Sequence, residues 1–316
     1  MEILTYIGVN KLLECISSEI RKARKIENIK RKAEAKAYEV KVISEEISKA
    51  PVPIKYHSDD LTIDSSDFHE IIKRTHQQFL DQEIIKKHNI DEIVLKTYKI
   101  LENIIYVSNG SVSPDWICRF VSSVENIGDK ELQDVWARIL AGEIQKPNSY
   151  SYRALDVLKN MTRQEVEQFQ KLASFSMGSE EIQFIFNDDR ILSKYGIKFN
   201  DILILEECGV INSSSLEVSK EVLGQSGIFY NSEIIGLIKS KPNAEAKNVL
   251  RVPVYTFTRT GKQLLSVMTP NYDEEYFIDC MRVIKEKHSS LDVKVHRMTK
   301  TNDNEHIIHY DEDLLS

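Results

Sequence analysis

Cysteine, glycine and proline are all sparse in this chain of 316 residues, at 4, 11 and 7. The cysteines, Cys15, Cys118, Cys208 and Cys280, lie far apart with no C-x-x-C pair. That spacing excludes a disulfide framework and a zinc knuckle, and it suits a reducing cytoplasm. The glycines form no phosphate-gripping G-x-x-x-x-G-K-[ST], no G-x-G-x-x-G and no G-x-S-x-G. "RTGKQ", residues 259–263, lacks both the upstream glycine and the following hydroxyl that a phosphate loop needs. No apolar run approaches the roughly twenty residues of a membrane span, and no basic stretch followed by an apolar core marks a secretory signal. An excess of basic charge is missing too. With 42 Lys and Arg against 49 Asp and Glu, the net charge is −7, which excludes a surface given over wholly to nucleic acid or anionic lipid but leaves room for a local patch.

What the chain does have is helical periodicity. Ile3, Ile7, Leu12, Leu13, Ile16 and Ile20 recur at helical spacing, and no glycine after Gly8 and no proline interrupts the chain before Pro51. A long N-terminal helix or helical arm over 1–50 is expected. Between Arg21 and Lys41 its basic residues outnumber the interspersed glutamates. The plain reading is a solvated arm packed on a neighbour; the alternative is an amphipathic anchor on an anionic membrane surface. Arg21, Lys22, Arg24, Lys25, Lys30, Arg31 and Lys32 are the candidate partner-binding residues. "APVPIKYHSDD" opens a linker over 51–66.

Helices resume near Asp67, with Asn89 as a candidate N-cap and Ser113-Pro114 as a second start. Asp129 caps the next helix, "LQDVWARILAGEIQKP", in which Leu132, Trp136, Ile139 and Leu140 form a buried stripe. Ala137, Ala141 and Gly142 flank that stripe with small side chains, the composition of a tight helix crossing rather than of a pocket. Trp116 and Phe120 on the preceding helix are the expected contacts. Asp115, Arg138, Glu143 and Arg153 are the polar members of the motif. Asp134, four residues from both Lys130 and Arg138, fits a charged outer face. Glu143 falls near a helix C-terminus, where the dipole disfavours a carboxylate, and Arg153 is the cation expected to hold it. Thr162 and Glu165 form a T-x-x-E capping box, and the central helical domain is placed at 67–176.

Beyond residue 176 the periodicity changes. "IQFIF" and "VPVYTFT" are strand-like, "GIFYNSEIIGLIK" reads as a hairpin, and helices are expected at "NDILILEEC" and "TGKQLLSVM". With Gly209 as a left-handed stop, this order resembles a winged helix over 177–288. Its acids outnumber its lysines and arginines, and the second helix carries Asp201, Glu206 and Glu207, a poor face for phosphates. Residues 289–316 read as a polar tail. The expected class is therefore mainly α: a helical N-terminal and central bundle followed by a smaller, winged-helix-like α+β domain.

Metal and catalytic readings are weaker. His306 and His309 lack a third ligand nearby, and His69 and His76 lie seven apart on a helix where such proximity arises by accident. "NDDR", residues 187–190, offers a carboxylate pair but also reads as a turn and helix cap. No cofactor is expected.

Residues 115–169 resemble the central block of the bacterial domain of unknown function 2806. The matching positions are Asp115, Trp116, Leu132, Gln133, Trp136, Ala137, Ile139 to Glu143, Lys146, Pro147, Ser151, Arg153 and Leu155, with Ala154 standing where a threonine is more usual. The family brings no assigned reaction. The layout is also similar to that of the alpha family of abortive-infection proteins, which implies a bacterial anti-phage role by analogy. The function expected is a non-enzymatic scaffold, sensor or adaptor working through a protein partner or a homo-oligomer, with a membrane surface possible through the N-terminal helix. The alternatives are a winged-helix nucleic-acid-binding regulator and, third, a hydrolase.

Overall fold

A computed structural model of the chain describes residues 55–57, 60–62, 65–102, 104, 110–179, 182–222, 225–231, 233–241, 248–300, 306–308 and 313–315. The chain divides into two compact units, the first ending at Tyr152 and the second beginning at Arg153.

In the first unit, β1 (Lys55–His57) and β2 (Asp60–Thr62) pair antiparallel within the expected linker. Next comes α1 (Ser65–Leu101), 37 residues without a glycine or proline. Asn89 does not start a new helix. Helical hydrogen bonding runs straight through it, and its side chain is spent on the Glu125 carbonyl at 3.0 Å. α2 (Pro114–Val124) begins after Ser113, whose hydroxyl makes no capping bond although Pro114 takes the first turn as expected. α3 (Lys130–Gln145) is capped by Asp129, whose carboxylate accepts from the amides of Glu131 and Leu132. α1 packs along α3. Thr97 Oγ1 donates to the Ile93 carbonyl of its own helix at 2.8 Å and lies 3.3 Å from the Ala137 carbonyl, Lys96 pairs with Asp134 at 2.6 Å, and Lys130 pairs with Glu92 at 2.8 Å. Asp134 thus works across to α1 as well as along its own helix.

The second unit opens with α4 (Tyr152–Asn160) at the boundary and α5 (Arg163–Ala173). Thr162 and Glu165 make both halves of the capping box. The rest corrects the expected fold class. β3 (Met177–Gly178), β4 (Gln183–Phe186), β5 (Ile211–Val222), β6 (Gln225–Tyr230), β7 (Ile234–Ser240), β8 (Asn248–Phe257), β9 (Leu291–Lys300) and β10 (His306–Ile308) form one eight-stranded sheet in the order β10-β9-β7-β6-β3-β4-β8-β5. Every neighbouring pair is antiparallel. This is not a small appendage to a helical bundle. The β6–β7 hairpin, expected as a wing, is built into the sheet, because β7 pairs with β9 from Ile234↔Arg297 to Ser240↔Leu291 and β6 meets β3 at Tyr230↔Gly178. β9 comes from the stretch expected as a polar tail, and its Leu291, Val293 and Val295 are buried.

Four helices accompany the sheet: α6 (Asp189–Lys194), α7 (Phe199–Glu207), α8 (Arg259–Leu265) and α9 (Glu274–Lys287). α9 packs on β7 and β9. It seats Met281 at Gly236, where an added Cβ would lie 2.5 Å from the methionine Cε. Tyr276 of α9 is buried, and its hydroxyl oxygen accepts from the Phe186 amide at 3.0 Å. Asn231 closes the β6–β7 turn by accepting from the amides of Glu233 and Ile234. Gly209 does end α7 in the left-handed region, at φ 75.

The T-x-x-G sequence at α8 has a steric cause. Thr258 Oγ1 accepts from the Gly261 amide at 3.0 Å, and a Cβ on Gly261 would collide with the Val210 carbonyl, which itself accepts from the Thr258 amide. Gly261→Ala must therefore push α8 off the start of β5. A loss of about 1 to 3 kcal/mol is expected, read as a fall in the urea midpoint of the second unit's unfolding. An unchanged midpoint would show that the two segments separate freely.

Candidate functional site

The "WARILAGE" helix has the residue types of a site, so its surroundings decide what it does. Trp136 is fully buried and meets the Phe120 ring edge to face at 5.6 Å, while Phe120 stacks on Trp116 at 5.3 Å. Ala137, Ile139, Leu140 and Ala141 are buried beside it, Leu132 is half-buried, and Val135 and Ile144 complete the stripe. Trp116 Nε1 donates to the Tyr150 carbonyl at 2.8 Å. Two polar atoms inside this core, Gln133 Oε1 and Trp136 Nε1, have no hydrogen-bond partner among the described residues.

Glu143 is 1% exposed. Its Oε1 accepts from the Asn148 amide at 2.6 Å and its Oε2 from the Tyr150 amide at 3.0 Å. These donors belong to the turn after its own helix. Arg153, the cation expected to hold it, is exposed. Asn148 reaches this geometry with φ 68, a left-handed conformation that asparagine tolerates better than most residues. The returning chain lays Tyr150 over Gly142, where a Cβ would sit 2.7 Å from the phenol oxygen. Glycine, carboxylate and tryptophan are thus three contacts on one segment. Tyr150 is the residue that sequence reasoning missed; its signal is an aromatic just past a helix break, facing a glycine.

The remaining motif residues lie outside this knot. Asp115 is exposed, and Arg119 stacks over the Tyr152 ring at 4.4 Å. Burial lowers the Arg138 guanidinium below its ordinary value while Asp134 opposes the shift. The basic positions Arg21, Lys22, Arg24, Lys25, Lys30, Arg31 and Lys32 fall outside the described residues, as do His306 and His309 as side chains. No group of three or more metal-ligating side chains occurs among the described residues.

In the second unit a groove of about 400 Å³ is lined by Asp156, Asn160, Met161, Glu165, Glu207 and Cys208. Burial, then the carboxylates of Glu165 and Glu207, push the Cys208 thiol up to about 11. A thiol protonated at neutral pH is not an activated nucleophile. Glu165 is held below its ordinary value by the backbone and side chain of Thr162, that is, by the capping box. The carboxylate pair at 188–189 resolves the same way. Asp188 caps α6, and although burial alone would raise its carboxyl, the hydrogen bond and charge of Lys287 at 2.7 Å and the contacts of Arg190 hold it low.

A family model described as a protein of unknown function (DUF2806) matches residues 73–281. The chain belongs to this family. Searches of curated proteins and of solved structures returned no match. The DUF2806 match begins inside α1 and ends inside α9, so it covers both units while leaving out the basic N-terminal stretch.

Two outcomes test these roles. Glu143→Gln leaves one amide facing a main-chain donor and should cost about 2 to 3 kcal/mol in thermal or urea unfolding of the first unit; an unchanged midpoint would detach the turn from stability. Cys208 should alkylate slowly at pH 8, its rate climbing only as pH nears 11, while exposed Cys118 reacts readily. Removing one repelling charge with Glu165→Gln should lower the Cys208 transition and speed its alkylation at pH 8. A faster wild-type Cys208 than Cys118 would contradict the assignment.

Proposed function

We propose that this protein acts by binding, as a non-enzymatic scaffold, sensor or adaptor in bacterial anti-phage defence. The observation that carries the reading is an apolar line on α1: Leu80, Ile84 and Leu95, at i, i+4 and i+15, share one helix face and are 41%, 65% and 50% exposed. Scattered surface leucines need no explanation, but three large side chains aligned over four turns favour a protein neighbour. The acidic side chains that chemistry would use are engaged elsewhere: Glu143 on a turn, Glu165 and Asp188 as caps. Among the described residues no helix is long and apolar enough to cross a membrane. The defence setting rests on the likeness of layout to the abortive-infection alpha family, and the basic face from Arg21 to Lys32 adds a salt-dependent contact to an acidic partner.

The test uses phage plating on cells carrying the full chain. Ile84→Glu combined with Leu95→Glu should weaken partner binding at least about tenfold and abolish protection, with thermal stability unchanged because both positions are solvent-facing. Reversing Arg24, Lys25, Arg31 and Lys32 should also abolish protection. The reading fails if protection survives both sets, or if purified protein alone degrades nucleic acid, nucleotide or peptide and one acidic substitution stops it.

A further inference from the structure

The exposed half of α1 carries a second regularity besides its apolar line. Lys73, Leu80, Ile84 and Asp91 are spaced by seven, four and seven residues. The stretch from Lys73 to Asp91 makes about five helical turns, so all four lie along one face. Lys73 and Asp91 are exposed, and Leu80 and Ile84 are 41% and 65% exposed. Gln77 and Lys87, also exposed, take the remaining positions of the same seam. α3 meets α1 elsewhere, on the face of the buried Ile90, Ile93, Thr97 and Leu101, and it starts at Lys130, level with Glu92.

The order along this face is basic, apolar, apolar, acidic, and it is symmetric about Gln82. Positions 73 and 91 stand equally far from that centre, as do 80 and 84. A second copy of α1 laid antiparallel across the face therefore sets Lys73 against Asp91 of the second copy at both ends. In the middle it sets Leu80 against Ile84 of the second copy, twice. A parallel copy would set lysine on lysine and aspartate on aspartate, so charge selects the antiparallel arrangement. The seven-four-seven spacing is that of the d and a positions of a heptad, which meet in layers when two helices pack side by side. A patch that complements itself under a two-fold rotation is what a contact between identical chains requires. Beside the axis Asp81 and Glu83 approach their own counterparts. Glu83 is held by Lys86 of its own helix at 3.0 Å, whereas Asp81 is met by the uncharged Gln77 amide at 2.9 Å and keeps the charge that opposes the pairing.

We propose that this protein self-associates as a two-fold dimer through the 73–91 stretch of α1, the two helices antiparallel and centred on Gln82. The inference rests on the reading of Leu80 and Ile84 as part of a protein contact, and it names the partner as a second copy of this chain. Four aliphatic side chains between two ion pairs make a small interface. The dimer is accordingly weak, with a Kd on the order of 10 μM, and exchanges with monomer rather than standing as a permanent assembly.

The test is sedimentation equilibrium of the full chain over about 1 to 100 μM, a range that brackets that Kd. Lys73→Asp alone, or Asp91→Lys alone, puts like charges together at both ends and should raise the Kd about tenfold. Lys73→Asp combined with Asp91→Lys in one chain should restore the wild-type affinity, a rescue that a parallel pair would not show. Asp81→Asn should tighten the dimer, and a looser one would contradict the placement of the axis. All three positions are exposed, so thermal unfolding should be unchanged in every variant. A wild-type chain that stays monomeric, a dimer that both single variants leave intact, or a double variant that fails to recover would overturn the proposal. Phage plating separates this outcome from the functional reading. A monomeric chain whose protection is lost with Ile84→Glu and Leu95→Glu would remove the second copy but keep a protein contact on that face. An intact dimer with protection surviving both substitution sets would do the reverse.

Discussion

A carboxylate buried at the end of a helix is disfavoured twice, by loss of water and by the negative end of the helix dipole. Glu143 occupies that position, and the first unit is arranged to satisfy it. Two main-chain donors must converge on its oxygens, so the chain has to turn back immediately after α3, through Pro147 and a left-handed Asn148. That return brings the Tyr150 ring to Gly142 and the Tyr150 carbonyl to Trp116 Nε1. Each contact presupposes the others. A side chain at position 142 would block the ring, loss of the carboxylate would free the turn, and without the turn the indole N–H would be left buried and unpaired.

The same dependence explains why a motif rich in acids and small residues is not a reaction centre. Chemistry needs a group whose lone pairs or proton are available to a substrate. Both Glu143 oxygens are already engaged by amides, the small residues are filled by a ring or by neighbouring core, and Trp136 is sealed beneath Phe120. In the second unit Cys208 is half-buried, and burial first, then the facing carboxylates, favour the thiol over the thiolate.

Local structure was legible in the sequence wherever a short-range rule fixes it. Asp129, Thr162 with Glu165, and Gly209 all act where their spacing placed them. Asn89 misled because a short polar side chain inside a helix looks like a cap until a distant carbonyl, here that of Glu125, is known to claim it. The sheet was not legible as a sheet. Pairings such as Ile238↔Val293 join residues more than fifty positions apart, which no local pattern encodes. β9 was the most misleading element. In "LDVKVHRM" the apolar residues alternate with charged ones, so average polarity reads as tail while the period of two reads as a strand with one face buried. At Glu143 sequence proximity suggested a cation, whereas a backbone turn five to seven residues away supplies two donors at no further cost in side-chain entropy.

The family block and the candidate contacts divide the chain unevenly. The DUF2806 match starts at residue 73, within the exposed half of α1, and therefore includes Leu80, Ile84 and Leu95 but none of the basic residues before Lys41. An apolar face and a basic stretch contribute differently to recognition: the first supplies affinity through burial, the second speeds and selects encounter by charge. α1 runs through Asn89 as one helix, and beyond that residue it is tied to α3 by the Lys130–Glu92 and Lys96–Asp134 pairs, so its packed and exposed parts share one continuous hydrogen-bonded backbone.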